Sequence, residues 1–204
     1  MKRKSILLEY FNKYKITYII IISLFLIGVL FGVIYINVAN EEKIENLSQY
    51  VTKLISDVKN NTSIIKTNSI INSILKNSRE IIIIWFLGCT VIGSYFIYID
   101  IIYHGFKIGY TIATFIYVLG TKKGIIFSLS SLLLQNIIYI PTLFFIAESS
   151  IKMCRQIYIN RNNIKKEFIR HIIILIMCLG FGIVASFTEI LFSTKILNFF
   201  KEIL

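Results

Sequence analysis

IIIIWFLGCTVIGSYFIYIDIIYHGFKIGYTIATFIYVLGTKKGIIFSLSSLLLQNIIYIPTLFFIAESS, residues 81–150, is the stretch that decides the fold. It is almost continuously apolar, so its information lies in the interruptions. Asp100, His104, Gly105, Lys107 and Gly109 make one break, residues 120–124 a second, and Gln135, Asn136 and Pro141 interrupt the last apolar run. A helix that is hydrophobic all round is either deep core or a membrane span. With 56% hydrophobic residues in 204, the chain has more apolar surface than a small globule can bury. It reads as an integral membrane protein. The net charge of +11 comes from lysines and arginines flanking apolar runs, which suits anionic lipid headgroups and not nucleic acid. The three cysteines form no CxxC pair and predict neither a disulfide framework nor a metal site.

Working outward, residues 1–15 are basic, with Lys2, Arg3, Lys4, Lys13 and Lys15, and precede an apolar run over residues 16–38. That run is long enough to cross about 30 Å of hydrocarbon at about 1.5 Å per residue. It is longer than a signal-peptide core and predicts a retained first span with a cytoplasmic N-terminus. Gly28 and Gly32 within it form a GxxxG that permits close approach of another helix. Residues 39–80 are polar, with six basic and five acidic side chains. They predict a translocated loop holding an amphipathic helix marked by Ile44, Leu47, Val51, Leu54, Ile55 and Val58, a turn over residues 60–63, and a shorter pattern at Ile70, Ile71, Ile74 and Leu75. Docking of an extracytoplasmic partner and packing on the membrane or bundle explain that face equally well.

Spans two to four are expected within residues 81–150: a second over 81–103 with Trp85 near the outer interface, a short third over 108–119, and a fourth over 124–147. Residues 151–170 carry six Lys or Arg against one Glu, which predicts a cytoplasmic loop and an even number of crossings before it. The short third segment must then cross, or be half of a crossing, and Lys122 and Lys123 fall outside. A fifth span over 171–193 and an interfacial tail over 194–204 complete the expectation of an all-α polytopic protein with about five transmembrane helices. Within the fifth, Gly180, Gly182 and Ala185 match GxGxxA. No strand precedes them, so they read as helix-packing residues and not a dinucleotide site.

Ionisable groups in or beside spans are functional suspects. Asp100 and His104 share a helical face that Lys107 can join, and the stronger reading puts all three at the cytoplasmic end of the second span, reaching for headgroups. An ion or proton path is the other. Glu148 is spaced to pair with Lys152, and Glu189 with Lys195 or a neighbouring helix. Gln135 and Asn136 are expected to face other helices, where carbonyls freed by Pro141 can meet those amides or Tyr139. There is no HExxH, GxSxG or P-loop, and Ser128, Ser130 and Ser131 have no evident base, so no catalytic role and no cofactor are expected.

The order Trp85, Leu87, Gly88, Ile92, Gly93, then Gly105, Gly109, Tyr110, Thr111, then Ser128, Gln135, Asn136, Pro141, and finally Ser186, Phe187, Glu189 resembles the stage II sporulation protein M family. The chain differs in having Leu134 where the family carries proline, Ser94 and Tyr95 where a second proline falls, and His104 where lysine is usual. The resemblance implies a multi-pass membrane scaffold of endospore formation, at the sporulation septum and engulfing membrane, that holds two peptidoglycan hydrolases. The wider superfamily implies an alternative: a permease-like subunit working with a separate ATP-binding protein, as in export or maturation of circular bacteriocins. Self-association stays open under both.

Overall fold

The computed structural model describes residues 2–60, 67–159 and 164–203, with side-chain surroundings over 15–40, 42–53, 71–129, 136–158 and 164–188. The described residues form six α-helices and no strand: α1 (Lys2–Asn37), α2 (Glu41–Asn60), α3 (Thr67–Gly88), α4 (Gly93–Leu119), α5 (Thr121–Ile159) and α6 (Ile164–Ile203). Among the described residues three stretches are long and apolar enough to cross a membrane: Lys15–Asn37 of α1, Asn136–Tyr158 of α5 and Ile164–Thr188 of α6. α3 and α4 carry Lys76, Arg79 and Glu80, and Asp100, His104 and Lys107, respectively, and do not qualify by composition.

Glycine sets the most extensive pairing, that of α1 with α4. A Cβ at Gly28 would run into the carbonyl of Ile102, and one at Gly32 into that of Phe106. A Cβ at Gly105 would meet the carbonyl of Phe25, and one at Gly109 that of Val29. The GxxxG of α1 therefore lies directly on a second GxxxG in α4, backbone against backbone. Residue numbers rise together along the contact, so the two helices are parallel. Tyr35 extends the seam onto Phe106 and Tyr110, with ring centroids 5.8 and 6.1 Å away.

The other helices alternate in direction. α3 opposes α6, with Asn77 hydrogen-bonded to Ser186 at 2.9 Å near one end and Trp85 stacked on His171 near the other. α5 opposes α4, through Phe115 with Phe127 and His104 with Tyr139. α6 opposes α5, through Cys178 with Thr142 and His171 with Ser149. Isoleucines dominate the shared core: Ile21, Ile81, Ile84, Ile97, Ile101 and Ile146 have no exposed surface. Gly182 abuts Ile81, and Ala185 and Ser186 are fully buried, so those positions of the GxGxxA stretch serve packing, whereas Gly180 faces open space.

The helix breaks differ from the sequence expectation. The apolar run over 81–103 is not one helix but the end of α3 and the start of α4, joined by a tight turn at residues 89–92. Two features close that turn: Thr90 Oγ1 donates to the Leu87 carbonyl at 2.8 Å, and any Cβ at Gly93 would strike that same carbonyl. Trp85 consequently sits at the turn end of α3, half-buried between His171 and Phe168. The short third segment is extended by residues 93–107 into a 27-residue helix. Gly120, at φ +79°, reverses the chain directly into α5. α5 and α6 run through much of the basic 151–170 segment, and α6 continues unbroken through residues 194–203.

α2 lays Ile44, Leu47 and Val51 inward, against α4 and α6, and leaves Glu42, Glu45, Gln49 and Tyr50 exposed. Packing on the bundle is thus how its apolar face is covered. The side chains of Leu54, Ile55 and Val58, and the turn expected over 60–63 beyond Asn60, lie outside the described residues.

The glycine seam makes a direct prediction. Gly105→Leu or Gly109→Leu should lower stability by about 1–3 kcal/mol or more through overpacking. Gly180→Leu, which meets open space, should stay within about 0.5 kcal/mol. Chemical unfolding in detergent micelles measures both.

Candidate functional site

Spacing along α4 gives it two working faces. Gly105 and Gly109 lie four apart and meet α1, while Asp100, His104 and Lys107 lie at i, i+4 and i+7, about 150° round the helix, and turn toward α3 and α5. On that second face Glu80 of α3 is the hub. Its Oε1 accepts from Lys107 Nζ at 3.1 Å, its Oε2 accepts from the Tyr139 hydroxyl at 2.5 Å, and His104 Nε2 lies 3.4 Å from Oε2. The imidazole also faces Asp100 Oδ2 at 3.7 Å, an oxygen closed off from solvent without a hydrogen bond. Lys107 lies over the Tyr103 ring at 4.9 Å from its centroid. Three helices thus contribute to one partly buried ionic network. Such groups persist away from water only when mutually paired.

α3 and α4 diverge from their turn, because α3 leans on α5 and α6 more than on α4. The space left between them is a half-open cavity of about 420 Å³. Lys76, Glu80, His104, Lys107 and Asn136 supply its polar wall, and Phe25, Phe106 and Leu143 its apolar one. It can therefore offer charge, hydrogen bonds and an apolar surface to one small guest. Among the described residues no group of three or more His, Cys, Asp or Glu side chains is placed to hold a metal ion.

Several sequence expectations change here. Asp100, His104 and Lys107 are not at the end of a span but near the middle of α4, facing inward; His104 is only 7% exposed. Tyr139 does not satisfy a carbonyl freed by Pro141; it binds Glu80. Asn136 lines the cavity, whereas Pro141 lies on the exposed side of α5 beside an apolar groove with Tyr18 and Phe181. Gly105 and Gly109 are packing residues. The side chains of Gln135 and Glu189 lie outside the described residues.

Sequence reasoning missed Glu80 as a site residue, because it closes a polar segment and looks like loop. The available signal was its position, one residue before a run of four isoleucines. It also missed a serine with a base. His171 Nε2 lies 3.2 Å from the Trp85 carbonyl, which can only accept, so that nitrogen carries the hydrogen. In the neutral ring Nδ1 then accepts from Ser149 Oγ at 2.9 Å. Ser149 and His171 are 5% and 2% exposed under the stacked Trp85, so the pair ties α3, α5 and α6 together in the interior. Nearby, Lys152 reaches across to Glu167 of α6 at 3.1 Å.

An all-helical chain with apolar spans and a buried ionic network belongs to the membrane proteins. Residues 21–194, most of the chain, match the family model of stage II sporulation protein M, so the chain belongs to that family and is a sporulation-related membrane protein. No curated protein and no solved structure gives a significant match.

Glu80 and Tyr139 should be coupled. Tyr139→Phe should cost about 1.5–3 kcal/mol, as expected for a hydrogen bond to a charged group. The double-mutant cycle of Glu80→Gln with Tyr139→Phe should return a coupling of about 1–3 kcal/mol by chemical unfolding. A coupling near zero would mean the two side chains do not share a hydrogen bond.

Proposed function

We propose that this chain is a non-enzymatic membrane scaffold of endospore formation that brings two peptidoglycan-degrading enzymes together at the sporulation septum. Family membership supports the setting. The observation that carries the architecture is the parallel seam of α1 and α4. With α3 and α5 opposed to them and α6 aligned with them, the chain makes five alternating passages. The lysines and arginine at the start of α1 and the basic residues at the α5–α6 junction then share one end. The positive-inside bias makes that end cytoplasmic. α2, and with it the exposed row of Glu42, Glu45, Gln49 and Tyr50, faces the cell-wall side.

On this reading the bundle does no chemistry. Holding both hydrolases against one small membrane body raises their encounter through effective concentration, provided that both contacts are made at once. The second reading, a permease-like subunit with a separate ATP-binding protein, draws on one specific observation: an ionic network beside a half-open cavity between α3, α4 and α5. There the basic α5–α6 junction is the ATPase contact.

Two measurements bear on these readings. Cysteine introduced at Lys122 should react with an impermeant maleimide on intact cells, and cysteine at Tyr158 only after permeabilisation; the reverse pattern inverts the topology. Tyr50→Ala, an exposed aromatic on α2, should lower co-purification of cell-wall hydrolases about tenfold, equivalent to about 1.4 kcal/mol, without loss of protein from the membrane. Undiminished hydrolase recovery would sink recruitment through α2. Retrieval of an ATPase in place of hydrolases would favour the permease reading.

A further inference from the structure

We infer that the cavity between α3, α4 and α5 is a binding site for the headgroup of an anionic phospholipid. The inference rests on the cavity alone and does not depend on what the exposed helices recruit. Charge comes first. Lys76 and Lys107 line the space against the single carboxylate of Glu80, which leaves one formal positive charge over. Asp100 does not redress the balance at the wall, because it stands behind His104 and does not line the cavity. Both oxygens of Glu80 are already engaged, by Lys107 and by Tyr139, so that carboxylate has little left with which to attract a cation.

The donors, by contrast, are in surplus. An ammonium carries three N–H groups, and Lys107 gives one to Glu80. Lys76 makes no ion pair with a described side chain and is exposed. The Asn136 amide adds further hydrogen-bonding capacity on the same wall. A phosphate diester supplies the matching single negative charge and several acceptor oxygens.

The opposite wall says that the anion carries an apolar body. Phe25, Phe106, Ile140 and Leu143 face the same space, and free phosphate would leave them wet. The volume of about 420 Å³ falls within the usual range for small-molecule sites, roughly 300–1,000 Å³. It holds a headgroup and the start of its chains, and the gap between the diverging α3 and α4 lets the remainder stay in the bilayer.

The test uses the full chain reconstituted in phosphatidylcholine nanodiscs, with labelled phosphatidylglycerol titrated in. Retention of phosphatidylglycerol should be saturable and at least tenfold tighter than that of labelled phosphatidylcholine. Lys76→Gln and Lys107→Gln should each weaken it about tenfold or more. Lys122→Gln, on the exposed start of α5, should leave it unchanged. Because Lys107→Gln also strips Glu80 of a partner and could unsettle the fold, the exposed Lys76→Gln is the deciding variant. Equal retention of the two lipids, or a Lys76→Gln protein that binds like its parent, overturns the proposal. So does competition by inorganic phosphate at the same concentration as the lipid, since the site would then be one for a free anion.

Discussion

The contact on which the rest of the structure depends is the bare-backbone meeting of α1 and α4. In hydrocarbon there is no water to drive helices together, so close van der Waals contact must do it, and that demands small residues on both partners. Gly28 and Gly32 meet Gly105 and Gly109 in parallel, and the direction of α4 is thereby tied to that of α1. α3 must then run back between them, which explains why a tight turn at residues 89–92 interrupts an otherwise unbroken apolar run. A single long span there would have delivered α4 pointing the wrong way for its glycines.

The same contact aims the charges. Asp100, His104 and Lys107 lie about 150° round α4 from the glycine face, nearly opposite it, so docking α4 on α1 turns them toward α3 and α5. Glu80 and Tyr139 meet them there. Isolated, a partly buried charge there would carry a desolvation cost; paired through a shared carboxylate, that cost is largely offset. The network joins α3, α4 and α5 at one level, and His171 with Ser149 and the Trp85 carbonyl joins α3, α5 and α6 at another. Those two polar ties specify how the helices sit, in a core that isoleucines alone would pack without a preferred register.

α3 is the unusual member of the bundle. Its last eight residues are apolar, but its earlier part carries Asn72, Lys76 and Arg79 on exposed positions while Asn77 binds Ser186 inside. A helix polar on one side along half its length, beside an open cavity, calls for something polar to face it. The helix that bounds the cavity is also the one that follows α2 in the chain.

Much was legible from composition and pattern. The apolar runs required a membrane, because no small globule could bury them, and the GxxxG of α1 announced a close helix contact. The spacing of Asp100, His104 and Lys107 put them on one helical face, and the residue string from Trp85 to Glu189 pointed to the right family. What the order of residues could not reveal was which helix the glycines meet, where the run over 81–103 breaks, or that Glu80 belongs with His104 and not with the loop before it. Those depend on helix direction, and direction is settled when backbones touch, far apart in sequence. Hydropathy along the chain sees only the cost of a charge in hydrocarbon; only the folded bundle supplies the partner that offsets it.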